Sequence, residues 1–264
     1  SGLIFLPRKA IFFIAIVMIA AHNLLDGISF QDGTLTDVVW SFLHVQKSFD
    51  LGNNYSFGTL YPIIPWVGVM ALGYCFGYFY NSDYSSANRK TVLSQSGIVC
   101  LIIFFTLRTS NVYGDPGPWT KYKEIDDTVI SFFNLEKYPP SFLFLSVTLG
   151  ISLLLLAIME GKSLQTLRPA KHFGNVALFY YITHIFLIHL FATFAAIVTG
   201  FSWKSMIFIG SPGKGSAMLN GHYGFELWVV YLIWIAVVLV LFPLCVYWKN
   251  FKIRNKEKWW ISYV

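Results

Sequence analysis

His22 and Asp26 stand four residues apart at the end of an apolar run. On an α-helix that spacing puts both on one face. A carboxylate beside an imidazole fixes its tautomer and raises its basicity, which is what a general base needs. The plainer alternative is a solvated helix end, with Asn23 and Asp26 in water. His184 and His189 lie inside another long apolar run. Five residues place them roughly 140° apart on a helix. A two-histidine metal site wants i, i+4, so no metal is expected. His184 reads either as a proton-transfer residue or substrate ligand lining an internal cavity, or as a helix-to-helix hydrogen bond. His189 leans to the second reading, because polar groups in a membrane also serve as contacts between helices.

Arg108 closes a third apolar run, just before Asn111, Tyr113 and Asp115. Its planar fork suits a carboxylate or phosphate of a substrate. It can equally snorkel, or pair with Asp115 to fix the loop. Asp37, Ser41 and His44 are the residue types of a hydrolase triad. On one short helix they would project in parallel rather than toward each other, so no triad is read there. His44 is grouped instead with Arg108, Asn111, Tyr113, Asp115 and His189 as acceptor-side candidates. Gly210-Ser-Pro-Gly-Lys-Gly-Ser216 is not a phosphate loop: Phe208 stands where Gly is needed, and Gly215 follows Lys214 in place of Ser or Thr. Cys75, Cys100 and Cys245 sit far apart in apolar runs, without metal-ligand or disulfide spacing.

The elements that must hold these residues are transmembrane helices. The chain has 264 residues, 56% hydrophobic and only 12% charged, against about a quarter charged in soluble domains. Apolar runs cover about 10–28, 60–80, 91–107, 138–159, 173–200 and 227–248, with Asp26 the only Asp, Glu, Lys or Arg inside them. Each is near the roughly 20 residues that cross a bilayer core. They lack the period-2 alternation of a barrel. The expected fold is an all-α polytopic bundle of about six spans in one transmembrane domain. Leu35, Val38, Val39, Phe42 and Leu43 repeat at helical spacing, which predicts an interfacial amphipathic helix over about 35–46.

Placing both ends in the cytoplasm puts twelve of the nineteen basic residues on the inner side: Arg8, Lys9, Arg89, Lys90, Lys162, Arg168, Lys171, Lys249, Lys252, Arg254, Lys256 and Lys258. The net charge of +6 follows this topology and forms no stripe for nucleic acid. The inner cations could also attract the phosphates of an acyl-coenzyme A, although topology alone accounts for them. His22, Asp26, Arg108 and the Asn111–Asp115 turn then gather at the outer face.

Several segments together resemble a known family. They are His22-Asn-Leu-Leu-Asp26, Tyr61-Pro-Ile-Ile-Pro-Trp-Val-Gly-Val-Met-Ala-Leu-Gly73, Arg108 to Trp119, Ser131 to Ser141, Phe173 to His184, and Trp259 to Tyr263. This set resembles a bacterial family of multi-span proteins that is similar to the catalytic domain of heparan-alpha-glucosaminide N-acetyltransferase. The resemblance implies a bacterial inner-membrane acyltransferase. An acetyl group from cytosolic acetyl-coenzyme A would pass to an amine or hydroxyl of a sugar or glycan outside, with a histidine as base or acyl carrier. His184, His22 and Asp26 are the catalytic candidates on this reading. The family's key histidine belongs to an early helix, and its members begin with further spans. The apolar opening Leu3-Ile-Phe-Leu6 then reads as the end of an earlier span, and the chain as part of a larger bundle. Asn175 and Ala177 depart from the Arg and Pro often found in the family. Beside the lipid bilayer and the glycan, an oligomeric partner is open. The rival function is a transporter or a structural membrane subunit. Transporters tend to carry internal repeats, and none is found here.

Overall fold

The computed structural model describes residues 2–52, 55–161, 168–206 and 223–262. Lys162 and the 210–216 segment, both considered above, lie outside the described residues. Nine α-helices and one hairpin are described: α1 (Arg8–Ala21), α2 (Leu35–Leu43), β1 (Lys47–Gly52), β2 (Tyr55–Thr59), α3 (Ile63–Phe76), α4 (Ser86–Ser110), α5 (Ile125–Phe133), α6 (Phe142–Met159), α7 (Arg168–Gly174), α8 (Ala177–Val198) and α9 (Leu227–Arg254). Among the described residues, six segments are long and apolar enough to cross a membrane: Arg8–Leu25, Ile63–Tyr80, Ser86–Ser110, Phe142–Met159, Ala177–Val198 and Leu227–Arg254. The chain is an all-α polytopic membrane protein.

The element boundaries depart from the expected ones for local reasons. The third span is longer than its apolar run, because the Ser85 side chain caps it by accepting from Asn88 N. The amphipathic helix α2 stops at Leu43 rather than 46, because Lys47 already begins a strand whose amide donates to Thr59 Oγ1 at 3.2 Å. The fifth run divides at Asn175 and Val176 into α7 and α8. Its Gly174 is a residue type that favours such a stop.

The chain divides into two compact units, Ser1–Phe49 with Phe57–Lys162, and Asp50–Ser56 with Ser163–Val264. In the first, α1 packs on α3 and α4 packs on α6. Both contacts are built on small residues, the usual device for close helix approach in lipid. A Cβ on Gly97 of α4 would lie 2.8 Å from Leu154 Cγ and 2.9 Å from the Gly150 carbonyl on α6. A Cβ on Gly68 of α3 would lie 3.0 Å from Ile19 and 3.2 Å from the Ala15 carbonyl of α1. Gly97→Val should therefore force α4 and α6 apart. The expected cost is about 1–3 kcal/mol, typical of an overpacked core, seen as a lowered melting temperature in detergent. An unchanged melting temperature would mean that the two helices pack elsewhere.

The helix ends of this unit gather at two poles. At one, the end of α1 meets the start of α6, with Tyr113 Oη donating to the Ala20 carbonyl at 2.6 Å. At the other, Arg89 near the start of α4 pairs with Glu160 just past the end of α6. In the second unit α8 packs on α9, with Phe179 stacked on Trp248 at 4.9 Å between centroids.

Candidate functional site

The first pole carries the buried polar groups. Past Ala21, α1 tightens into a 3-10 turn over His22–Leu25. His22 is buried, with Nδ1 2.9 Å from the Ile19 carbonyl and Nε2 2.9 Å from the Pro140 carbonyl. A neutral imidazole has one N–H and can donate to only one of them. Asn23 ties two segments together. Its Nδ2 donates to Asp26 Oδ2 at 2.8 Å, and its Oδ1 accepts from the first amide of α6, Phe142 N, at 2.8 Å.

Asp26 does not pair with His22. Its Oδ1 lies 2.8 Å from Nε2 of His44, eighteen residues on, at the C-cap of α2. The 3-10 turn is the physical reason, because with three residues per turn i and i+4 no longer share a face. The Pro140 carbonyl also holds the His22 ring. His44 is fully buried. The Trp40 ring stands 5.3 Å from it, and the His22 ring meets it edge-on at 5.9 Å. An ionised carboxylate only accepts, so the shared proton belongs to Nε2. Neutral His44 then carries its lone pair on Nδ1, which is buried and has no hydrogen-bond partner among the described residues. A carboxylate-oriented imidazole with a free lone pair is a general base held ready.

Burial by itself would raise the Asp26 carboxyl, but hydrogen bonds from His44 and Asn23 outweigh it and hold the group below the ordinary carboxylate range. A depressed carboxyl contributes stability above its unfolded value of about 4, and that contribution disappears as pH falls through the lower folded value. The melting temperature should therefore fall as pH drops below about 4. Asp26→Asn should melt lower at pH 7 and show a shallower acid decline. Parallel curves for the two proteins would remove Asp26 from that role.

The other expected site residues are occupied structurally. Arg108 is buried, and its guanidinium donates to four carbonyls: Nε to Phe132 at 2.8 Å, Nη1 to Gly117 at 2.8 Å, and Nη2 to Ser131 and Asn134 at 3.0 Å each. Asp115 stands 3.6 Å from Nη1. Its own oxygens accept from Ser141 Oγ at 2.7 Å, Glu136 N at 2.9 Å and Gly117 N at 3.0 Å. Asn111, left-handed at φ 51°, brackets Trp119 with both ends of its amide. Arg108, Asn111, Tyr113 and Asp115 thus fix the 111–141 loop: four of the five guanidinium N–H groups of Arg108 are taken by carbonyls, and the fifth, on Nη1, faces Asp115. Asp37 takes Lys47 at 2.7 and 2.8 Å, while Ser41 donates to the Val38 carbonyl. Asp37, Ser41 and His44 have separate partners, as their parallel projection predicts.

His184 belongs to α8 in the second unit. Its Nδ1 lies 3.1 Å from the Tyr180 carbonyl, and its ring stacks on Tyr180 at 5.2 Å. His189 lies on the same helix, where its carbonyl accepts from Thr193 Oγ1. Among the described residues, no three His, Cys, Asp or Glu side chains are grouped to hold a metal ion.

Sequence reasoning overlooked the Asp26–His44 pair and the bridging Asn23. The available signal was His44 on the polar face of an amphipathic helix whose loop begins at Asp26. Fold and pole together define a polytopic membrane protein, with six spans among the described residues and an aspartate paired to a buried histidine at its helix ends. Residues 2–113 match the family model for heparan-alpha-glucosaminide N-acetyltransferase, catalytic. The resemblance seen in the motifs holds over this stretch, which contains His22, Asp26, His44 and Arg108. No curated protein and no solved structure matches the chain.

Proposed function

We propose that the protein is a membrane acetyltransferase that moves an acetyl group from acetyl-coenzyme A to an amine or hydroxyl of a sugar or glycan. The observation that carries this reading is the Asp26–His44 pair, with His44 buried and its Nδ1 unpartnered among the described residues, inside the matched segment. His44 Nδ1 takes the proton from the acceptor N–H or O–H as that atom attacks the thioester carbonyl. The C–S bond breaks, and the coenzyme A thiolate leaves with the proton returned by the imidazolium. Asp26 stabilises the imidazolium formed between these steps. His22, held between two carbonyls, keeps its ring edge against His44. Its part is positional. His184, whose Nδ1 faces the Tyr180 carbonyl, is the second candidate base. The distribution of Lys and Arg supports both chain ends on the cytoplasmic side of the membrane, and the family resemblance supports a bacterial inner membrane.

The test is transfer itself. Membranes containing the full-length protein receive labelled acetyl-coenzyme A and a panel of amino sugars and glycans. Labelled, acetylated acceptor is the expected product. A well-folded protein that labels neither acceptor nor itself would sink the reading.

A further inference from the structure

At the pole of the first unit opposite His44, Pro7, Arg8, Lys9 and Phe12 of the α1 start face Cys75, Phe76, Tyr78 and Phe79 at the α3 end across a groove of about 580 Å³. Its walls are aromatic. Its mouth carries two cations. The Arg8 guanidinium lies 4.0 Å over the Tyr78 ring. Stacked on the ring face, it is held in place while its N–H donors remain directed outward in its own plane. Among the described residues no carboxylate pairs with Arg8 or Lys9, and no hydrogen bond to either side-chain head is found.

The next arginine at this pole provides the contrast. Arg89 lies over the Tyr80 ring at 4.8 Å, but Glu160 neutralises it and the Phe79 and Tyr84 carbonyls take its Nη1. The same residue pairing is thus closed at Arg89 and open at Arg8. An aromatic groove at a spanning helix end is bathed in lipid, and the anion abundant there is a phospholipid headgroup.

We propose that this groove seats an anionic phospholipid, its phosphate on Arg8 and Lys9 and an acyl chain along Phe12, Phe76 and Phe79. The occupant combines the two chemistries of the groove. The phosphate satisfies a planar cationic fork plus a point charge, and the chain covers apolar walls that water would otherwise contact.

The test uses the full-length protein purified in neutral detergent. Phosphatidylglycerol and phosphatidylcholine with identical chains are titrated while the melting temperature is followed. Phosphatidylglycerol should raise it saturably, and phosphatidylcholine should not. Each cation removed should weaken the apparent affinity for phosphatidylglycerol by roughly fivefold, so R8Q/K9Q should lose roughly 25-fold. Lys249→Gln with Lys252→Gln, at the end of α9, should leave the affinity unchanged. Lys9→Gln alone reads the same effect from an exposed side chain should the double variant fail to fold. Equal shifts with both lipids would overturn the proposal, and so would full phosphatidylglycerol affinity in R8Q/K9Q or K9Q. A shift of the same size with inorganic phosphate, or one with coenzyme A that R8Q/K9Q abolishes, would assign the cations to a soluble phosphate ligand and also reject the lipid.

Discussion

Arg108→Met should destabilise the first unit by about 3–5 kcal/mol, the range for removing one partner of a buried charged network. That is a large fraction of a stability of roughly 5–15 kcal/mol. Methionine keeps the length and apolar stem of the side chain, so the loss isolates the guanidinium. Four carbonyls, from Gly117, Ser131, Phe132 and Asn134, lose their donor at a buried site. Asp115 loses its cation in the same step. The loop these groups hold supplies the Pro140 carbonyl to His22 and the Phe142 amide to Asn23, so damage should spread to the polar pole. Arg108→Lys should recover little, because an ammonium has three donors on a point and cannot span four carbonyls set around a planar fork. Thermal unfolding in detergent measures both variants. A normal melting temperature combined with lost acetyl transfer would return Arg108 to the acceptor-binding role its position first suggested.

The legible part of the fold was the part lipid dictates. A backbone crossing hydrocarbon has helix as its option when period-2 alternation is missing, so six apolar runs gave six spans. The loops were less legible because water offers the backbone more choices. The β1–β2 hairpin and α5 were not anticipated for that reason. At the site, residue type was legible and pairing was not. Intramembrane and helix-end polar groups declare themselves by their cost, which singled out His22, Asp26 and Arg108. Their partners lie far along the chain: His44 for Asp26, Pro140 for His22, and Phe132 with Asn134 for Arg108. Three of these partners act through backbone carbonyls with no side-chain signature at all. The i, i+4 rule also assumed an α-helix through His22, where the chain tightens into a 3-10 turn.

His44→Ala should lower acetyl transfer by about 10²–10⁴-fold, the usual worth of a positioned general base, while leaving acetyl-coenzyme A consumption and product formation coupled. Asp26→Asn should also lose activity with His44 still present. The carboxylate is what fixes the proton on Nε2, and an amide can instead donate to Nε2 and drive the proton onto Nδ1, the atom that must accept. Nitrogen NMR of histidine-labelled protein reads this directly, with the Nε2–H tautomer of His44 in the wild type and its loss in Asp26→Asn. A purely structural role for the pair would give a different pattern, in which activity falls only as far as the melting temperature does and no tautomer change accompanies it. His184→Ala completes the comparison because it lies in the other unit, outside the matched segment. Transfer at the wild-type rate in His44→Ala, with loss in His184→Ala, would move the base to α8 and leave Asp26–His44 as a strut between the end of α1 and α2. Loss in His44→Ala with full activity in His184→Ala would fix the reacting proton at Nδ1 of His44.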